Sequence, residues 1–449
     1  MRQTFKEVNK ESSYILAKAG RPLFGEVEVA GAKNMVTKIM TACLLAKKGK
    51  LIIRNVPQIG EVFLTLQLFD QLGVKYKMNS DKTLEIEPSG FKSSEVKFKG
   101  EEGNRISLLL AAPVIAQFGE AVIARPKGCK IGERKIDFHV EGLKAFGAEI
   151  KETEDALFLK LKSGRLKGAH VRLPFPSVGA TENLIITASC AEGESIIDNC
   201  AIEPEIIKMV EFLQKGGVEI LIRGDRSIYI RGTDDLKLSD VTIIPDRIEI
   251  VSLACAALAT KGDIFIKGAR QDLVLTFLGV LQRLGAGIEI RENGIRFYYQ
   301  DNMKPMAVTT EVYPGLPTDF QQPLAILLSQ IKGTSHLHET IFENRFEYLN
   351  RLNGVIKTGK KFVLAQDCPT DDPCRFKGKG FSHYAEITGP VSYGQGQVSI
   401  CDLRAGFALL TAGLLSDGLK IVNLPLLFRG YENPVGKLKS LGADVELFV

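Results

Sequence analysis

A unit of about 70 residues recurs six times along the chain, and this repeat constrains the fold more than any other feature of the sequence. Its first marker is a run of small apolar residues that ends near a glycine and leads into a strand-like segment. Copies of this marker lie at Gly49, Gly119, Gly193, Gly262, Gly333 and Gly418. A second marker, a hydrophobic residue followed by glycine and an alternating segment, recurs at Gly73, Gly147, Gly217, Gly285, Gly354 (the most degraded copy) and Gly442. Glycine caps are common, but because the two markers keep the same period, chance placement of such caps does not explain the repeat.

Each unit is predicted to be an α/β element in which two helices pack on a small sheet. A glycine after a helix is typical of a left-handed C-cap, and alternation of apolar and polar residues indicates a half-buried strand. At 449 residues the chain is too long for one hydrophobic core. We therefore expect two domains of three units, one covering residues 33–244 and the other covering residues 1–32 together with residues 245–449.

The last interval of each marker is longer than the others by roughly 15 residues. The excess falls between Gly354 and Cys401, in a stretch dense in Pro, Gly and Asp, which predicts a surface insertion. Cys368, Cys374 and His383 within this stretch are possible metal ligands. Their spacing fits no common zinc pattern, so we expect no metal site there.

Composition excludes several classes of protein. The 58 basic and 53 acidic residues give a net charge of only +5, and Trp is absent, which argues against a nucleic-acid-binding protein. Eight cysteines without framework spacing suit a reducing compartment. The N-terminus lacks the apolar core of a signal peptide and no run could span a membrane, so a soluble, cytoplasmic protein is expected. The glycines form neither a dinucleotide-binding nor a P-loop pattern. His336 and His338 share one face of a predicted strand and are interpreted as solvated strand residues.

Five of the six units carry a charged residue at the predicted start of their first helix, and the third unit carries a glycine there. The six positions are Lys33, Arg105, Gly179, Arg247, Asp319 and Arg404. The helix dipole disfavours a cation at a helix N-terminus, so its recurrence favours an anion-binding function over a merely solvated face. Arg345 and Arg429, each flanked by aromatic residues, add planar guanidinium groups suited to carboxylate or phosphate. Asp319 lies on a predicted turn and is either a general base or a simple N-cap.

A basic loop over residues 125–137 surrounds Cys129 with Lys127, Lys130, Arg134 and Lys135. Nearby cations favour the reactive thiolate, whereas most cysteines without such neighbours behave as inert small hydrophobes. Cys129 is therefore a candidate reactive thiol. His139, on the helix that follows, is expected to line the same cleft.

Eight motifs in unbroken order resemble the UDP-N-acetylglucosamine 1-carboxyvinyltransferase family, the enolpyruvyl transferases of peptidoglycan synthesis. They are G-A-K-N (31–34), G-C-K-I-G-E-R (128–134), S-V-G-A-T (177–181), P-D-R-I-E (245–249), L-P-T-D (316–319), F-E-N-R-F (342–346), D-L-R-A (402–405) and R-G-Y-E (429–432). The resemblance implies two inverse α/β barrels with the active site between them. It also implies transfer of enolpyruvate from phosphoenolpyruvate to the 3-hydroxyl of UDP-N-acetylglucosamine, with release of phosphate and without a metal or organic cofactor.

The resemblance also implies roles for residues at matching motif positions. Cys129 would be the general acid and the site of a covalent phosphoenolpyruvate adduct, and Asp319 would accept the proton of the sugar hydroxyl. Lys33, Arg134 and Arg429 would bind the phosphate, and Arg345 and Arg404 the carboxylate, with Lys33 and Arg404 counted as catalytic. The nucleotide sugar would lie along Asn34, Arg105, Arg134, Lys135, Ile136, Asp137, Phe138, Ser177, Val178, Gly179 and Ile341, and Arg247 is also counted as substrate-binding.

Five residues at three places in the chain depart from the family pattern. Phe175 and Pro176 stand where a basic residue usually precedes S-V-G, Gln58 and Gly60 stand where basic residues usually follow N-V-P, and Leu426 replaces a histidine. The first two places fall on the nucleotide-sugar side. Transfer to another uridine nucleotide, or a non-catalytic paralogue that binds a nucleotide sugar, therefore stays open, whereas the cysteine loop disfavours the related shikimate-pathway synthase. We expect a monomer without nucleic-acid partners or membrane insertion.

Overall fold

A computed structural model describes residues 12–98, 104–126, 132, 135–162, 164–368 and 374–449. Its helices are α1 (Lys33–Ala42), α2 (Gly60–Leu72), α3 (Ile106–Leu109), α4 (Ala111–Phe118), α5 (Asp137–Ala145), α6 (Val178–Cys190), α7 (Pro204–Lys215), α8 (Arg247–Ala259), α9 (Leu275–Leu284), α10 (Gln321–Leu328), α11 (Glu347–Asn353), α12 (Leu403–Gly413), α13 (Pro425–Phe428) and α14 (Pro434–Ser440). Short 3-10 helices cover Cys43–Leu45, Gln271–Leu273 and Thr318–Phe320.

The strands are short and are spread over the whole chain. Those before residue 243 are β1 (Tyr14–Lys18), β2 (Phe24–Glu28), β3 (Leu51–Arg54), β4 (Lys75–Met78), β5 (Leu84–Glu87), β6 (Glu95–Val96), β7 (Glu120–Ala124), β8 (Ala148–Glu152), β9 (Ala156–Leu161), β10 (His170–Arg172), β11 (Glu194–Asp198), β12 (Glu219–Ile222), β13 (Ile228–Arg231) and β14 (Val241–Thr242). Those that follow are β15 (Asp263–Lys267), β16 (Gly287–Arg291), β17 (Gly294–Tyr298), β18 (Ala307–Thr309), β19 (Gly333–His338), β20 (Ile356–Thr358), β21 (Val363–Ala365), β22 (Tyr384–Gly389), β23 (Ser392–Ser399), β24 (Ser416–Val422) and β25 (Asp444–Phe448).

Six sheets share one pairing pattern, which confirms the sixfold α/β repeat. In each sheet one parallel pair is followed by two antiparallel pairs, as in β6-β7-β9-β8 and β10-β11-β13-β12. The sheets β14-β3-β5-β4, β2-β15-β17-β16 and β18-β19-β22-β21 repeat it. The last sheet, β20-β23-β24-β1-β25, carries the same four-strand pattern with β20 added at its edge. The fold is therefore a two-domain α/β fold with three sheets in each half.

In each half of the molecule, a sheet is completed by a strand that is distant in the sequence. β1 and β2 from the N-terminus complete sheets built from later residues, and β14 returns to complete the first sheet. These pairings join residues 14–28 to strands of the second half of the chain. The boundaries after residues 32 and 244 stay a prediction.

The glycine markers mostly adopt the conformation expected of them. Gly73, Gly119 and Gly285 cap their helices with positive φ, a backbone state that side chains other than glycine rarely adopt. Two copies differ. At the fourth unit Lys261, and not Gly262, has positive φ, and Gly354 has helical φ, in agreement with the degraded sequence at that position.

Beyond their polar first turns, the helices at the centre of the second half are mostly apolar because they are buried on all sides. Every residue of α8, α10 and α12 is buried, and these three helices pack against one another. In the first half α1 packs on α7, and α4 and α5 pack on α6. Nowhere in the described ranges is a helix both long enough and apolar enough to cross a bilayer.

The insertion lies beside the sheet β18-β19-β22-β21 and is only partly a surface feature. Phe376 is buried, whereas Lys377 and Phe381 are exposed. The interpretation of His338 as a solvated strand residue is wrong, because the insertion covers the end of β19 and buries its side chain. His336, on the same face, is half-buried.

Candidate active site

A cavity of about 570 Å³ lies between the two halves. All six predicted helix starts line it: Lys33, Arg105, Gly179, Arg247, Asp319 and Arg404. Helices with the same place in six repeats therefore direct their N-termini into one space. Converging N-termini supply free N–H groups and partial positive charge, so the cavity suits an anionic ligand.

Short capping side chains fix two of these starts, those of α8 and α12. Asp246 accepts hydrogen bonds from the backbone N–H groups of Ile248 and Glu249 and begins α8, so that Arg247 is its first residue. Asp402 accepts from the N–H of Ala405 and begins α12, in which Arg404 is the second residue. Because the caps fix the helix ends, they also fix the directions of the two guanidinium groups.

Asp319 lies between two arginines at the centre of the cavity. Its carboxylate accepts a hydrogen bond of 2.6 Å from Arg345 and one of 3.3 Å from Arg404. Arg345 also donates to the hydroxyl of Thr318, 2.7 Å away, and Thr318 in turn donates to the buried carboxylate of Glu339 at 2.8 Å. The aspartate is thus held in a fixed direction and is more than a helix cap.

Electrostatics keep Asp319 ionised. Burial alone would raise the pKa of its carboxyl, but the guanidinium groups of Arg345 and Arg404 outweigh burial and lower the pKa well below its usual range. The Tyr431 hydroxyl favours the charged form of Arg404, but the two terminal nitrogens of Arg404 are buried and make no well-formed hydrogen bond within the described residues. A buried cation with unused donors facing a cavity is suited to a carboxylate or phosphate ligand.

A second charged group combines Lys33 with Glu61 and Arg429. Both Nε and a terminal nitrogen of Arg429 donate to the Glu61 carboxylate, at 3.0 and 2.9 Å. Burial lowers the pKa of Lys33 to about 8, an effect that Glu61 partly offsets and that Arg404 strengthens. Lys33 and Arg429 come from opposite halves of the molecule. A phosphate bound between them would bridge the two halves.

Of the predicted nucleotide-sugar residues that the structure describes, all but one line the same cavity. Those that line it are Asn34, Arg105, Lys135, Asp137, Phe138, Ser177, Val178, Gly179 and Ile341. Ile136 does not line it and instead packs against the hydrophobic core. His139 lines the cavity as expected, and its ring lies so close to Gly179 that a Cβ there would be 3.5 Å from it.

Two predicted residues, Cys129 and Arg134, lie outside the described residues. Gly132 is described, and it lines a smaller cavity of about 290 Å³ together with Glu343, Asn344, Arg375 and Phe376. The roles implied for Cys129 and Arg134 stay predictions.

Arg375, in the insertion, is a cavity residue that sequence reasoning missed. Its guanidinium carbon lies 4.6 Å from the centre of the Phe175 ring and 4.9 Å from that of Phe376, and a terminal nitrogen lies 3.9 Å from the Glu343 carboxylate. Its sequence signal was an arginine beside an aromatic residue, which is also what singled out Arg345. Arg375 places a cation beside Phe175, which stands where the family pattern leads us to expect a basic residue.

Buried acids form the other group that sequence reasoning missed. Glu182, Glu203 and Glu205 line the cavity. Burial raises the pKa of Glu182 to about 7 although Lys38 opposes the shift, and burial likewise raises that of Glu203 to about 7. Glu205 instead pairs with Arg247 at 2.9 Å. Glu182 lies within α6, and Glu203 and Glu205 lie at the start of α7. Acids at such helix positions are usually solvated, so the sequence carried no signal that set these three apart.

Comparison with known proteins agrees with this geometry. Residues 17–438 match the family described as EPSP synthase (3-phosphoshikimate 1-carboxyvinyltransferase). A UDP-N-acetylglucosamine 1-carboxyvinyltransferase of Protochlamydia amoebophila is 40% identical over 436 residues, which cover 95% of this chain and 93% of that protein. A protein of the same name from Chlamydia abortus is 42% identical over 433 residues, covering 95% and 96%.

Solved structures show the same fold at lower identity. The enolpyruvyl transferase NikO from Streptomyces tendae superposes with a TM-score of 0.83 at 21% identity and covers 97% of this chain and 98% of its own. EPSP synthase from Acinetobacter baumannii has a TM-score of 0.71 at 16% identity, with 98% and 100% covered. With the family match over most of its length and relatives near 40% identity, the chain belongs to the EPSP synthase (3-phosphoshikimate 1-carboxyvinyltransferase) family and, within it, groups with the UDP-N-acetylglucosamine 1-carboxyvinyltransferases.

Proposed function

We propose that this protein is a transferase that moves the enolpyruvyl group of phosphoenolpyruvate to the 3-hydroxyl of UDP-N-acetylglucosamine and releases phosphate, the first committed step of peptidoglycan precursor synthesis. The observation that carries the proposal is the half-buried carboxylate of Asp319 held by the buried guanidinium groups of Arg345 and Arg404 in a cavity lined by six helix starts. The names of relatives about 40% identical over 95% of the chain supply the chemistry.

The proposed reaction begins with addition. Asp319, ionised by its two arginines, accepts the proton of the sugar hydroxyl while the hydroxyl oxygen bonds to C2 of phosphoenolpyruvate. The methylene carbon gains a proton from Cys129, the role that the family resemblance implies. The product is a tetrahedral ketal that carries both carboxylate and phosphate.

Elimination then completes the transfer. The bond from C2 to the phosphate oxygen breaks and phosphate leaves, while the methyl carbon formed in the addition returns a proton to the Cys129 thiolate and the double bond is restored. Arg345 and Arg404 stabilise the carboxylate, and Lys33, Arg134 and Arg429 stabilise the phosphate. Because these cations are held in place before reaction, they need not reorganise as charge develops. A cytoplasmic location is part of the same proposal.

A second acceptor is favoured by one observation. Phe175 lines the cavity at a position where members of the family that the sequence resembles usually carry a basic residue. Transfer to another uridine nucleotide is therefore the alternative, with a non-catalytic nucleotide-sugar-binding protein as the third possibility.

The deciding experiment measures phosphate release from phosphoenolpyruvate with UDP-N-acetylglucosamine, with UMP and without an acceptor. Release only with UDP-N-acetylglucosamine, together with a product heavier by one enolpyruvyl group, is expected. Release only with UMP would replace the proposed acceptor. Release with neither would leave only the non-catalytic alternative.

A companion experiment tests the assignment of Cys129. The epoxide fosfomycin, which inhibits this family, should label the wild-type protein covalently, and Cys129→Ala should abolish the label. A label that persists on another cysteine would refute the role proposed for Cys129.

A further inference from the structure

The fold brings together four side chains that are far apart in the sequence. His338 ends β19, His383 directly precedes β22, and Cys368 and Cys374 belong to the insertion between them. One ligand atom from each of the four residues lies within 4.8 Å of every other. We call these four residues the Cys–His cluster, and we propose that it binds one structural zinc ion.

The distances fit a tetrahedral ion. Zinc bonds of about 2.3 Å to sulfur and about 2.0–2.1 Å to nitrogen place the four ligand atoms about 3.3–3.8 Å apart. His338 Nε2 already lies 3.3 Å from the sulfur of Cys374. Small movements of the four side chains would bring the remaining ligand atoms to these separations. Two sulfur and two nitrogen ligands in tetrahedral array favour zinc over the hard cations, which prefer oxygen.

The protonation pattern of His383 points to a ligand role. Its Nδ1 lies 2.8 Å from the carbonyl oxygen of Phe381, which can accept a hydrogen bond only from a protonated nitrogen. Its Nε2 therefore carries the lone pair. That Nε2 atom is buried and has no hydrogen-bond partner within the described part of the chain. Metal-bound histidines typically donate their second N–H to a carbonyl in this way.

The surroundings provide a closed site. Phe376 packs edge-on against His383, with ring centres 5.8 Å apart, and Tyr384 packs against His338 at 6.1 Å. Zinc with two thiolates and two neutral imidazoles carries no net charge, so burial of the complete site costs little. Binding releases the two thiol protons to solvent. With all four positions filled by protein, the ion has a structural role.

The site joins the insertion to the wall of the active site. His338 is followed by Glu339, whose carboxylate accepts hydrogen bonds from Thr318 and from the backbone N–H of Ile341. Cys374 is followed by Arg375, which contacts Phe175 in the other half. Zinc bound to Cys374 would therefore hold the next residue, Arg375, in the cavity. The spacing of the ligands along the sequence had led us to expect no metal here.

The test is elemental analysis of the full-length protein, produced without a polyhistidine tag, incubated with excess ZnSO₄ under reductant and then desalted. We expect about one zinc per chain. Cys368→Ser and His383→Gln should lose it, while Cys190→Ser, a substitution of a half-buried cysteine outside the Cys–His cluster, should keep it. Absence of zinc from the wild type, binding of a different metal in its place, or equal loss in Cys190→Ser would overturn the proposal.

A measurement on the wild type alone covers the case in which variants fail to fold. Iodoacetamide should alkylate Cys368 and Cys374 slowly in the zinc-loaded protein and quickly after a chelator is added, with the modified residues identified by mass spectrometry. Cobalt substitution should give the absorption bands of a tetrahedral, thiolate-bound ion. Fast alkylation despite zinc, or a disulfide between the two cysteines under reductant, would contradict a zinc site.

Discussion

At the scale of single residues, Asp319 has contacts that affect both its own ionisation and the binding of substrate. It is ionised because Arg345 and Arg404 contact it, yet those arginines are the groups proposed to hold the substrate carboxylate. A bound carboxylate would compete with Asp319 for the same donors. That competition would weaken the hold on Asp319 and raise its pKa towards a value useful for a general base.

The first prediction concerns the substitution Asp319→Asn. Because the amide cannot accept the hydroxyl proton, kcat should fall about 10²–10⁴-fold. Phosphoenolpyruvate should bind at least as tightly as before, since the competing anion is gone, and isothermal titration calorimetry measures this. Asp301→Asn, at an exposed turn outside the cavity, is the matched control. A variant that kept more than about a tenth of kcat would rule out Asp319 as the base.

Lys33 gives a prediction on pH. Because its pKa is lowered to about 8, the amine loses its proton and its attraction for phosphate above that pH. The value of kcat/KM for phosphoenolpyruvate should therefore fall above about pH 8, whereas kcat should fall only at higher pH, since bound phosphate favours the protonated amine. Lys33→Arg should remove the fall in kcat/KM because a guanidinium stays charged. The same fall in Lys33→Arg would assign it to another group.

At the scale of elements, the sequence predicted the repeat and the helix starts but not the path of the insertion. Period and glycine markers are local signals, so they identified the six sheets and the residues at the N-termini of α1, α8 and α12. The Cys–His cluster depends on the pairing of β19 with β22 across the insertion, with His338 opposite Tyr384. No spacing rule along the chain encodes that contact. Arg375 was missed for the same reason.

Arg375 allows a test of the insertion as part of the site. The substitution Arg375→Ala should raise KM for the nucleotide sugar roughly tenfold, because a cation facing that side of the cavity is lost, while KM for phosphoenolpyruvate changes little. Arg283→Ala, at an exposed position of α9, is the control. Steady-state kinetics with each substrate varied in turn distinguish the two effects. Equal changes in both KM values would mean that Arg375 only supports the fold.

At the scale of the whole molecule, charged pairs connect the two halves around the cavity. Arg429 joins Glu61, Glu432 joins Lys82 at 2.6 Å, and Arg247 joins Glu205. The C-terminal R-G-Y-E motif thus contacts the first half through both its charged ends. The active site and the contact between the halves are built from the same residues, so ligand binding and closure of the halves are expected to be coupled.

The buried pair of Arg247 and Glu205 provides the last prediction. Both side chains are nearly inaccessible, with 5% and 3% exposed, so Arg247→Met should leave an uncompensated buried carboxylate and lower the free energy of unfolding by about 3–5 kcal/mol. The double substitution Arg247→Met with Glu205→Met should regain most of that loss, because no buried charge is then left unpaired.

Urea unfolding followed by circular dichroism measures these differences. The matched control is Arg231→Met, which breaks an exposed pair with Glu194 and should cost less than about 1 kcal/mol. If Arg247→Met and Arg231→Met lost the same stability, the contact between the halves would not depend on the buried pair. Arg247 also lies over the rings of Phe320 and Tyr313. If the double variant were no more stable than Arg247→Met, the loss of stability would come from these missing contacts and not from the unpaired charge.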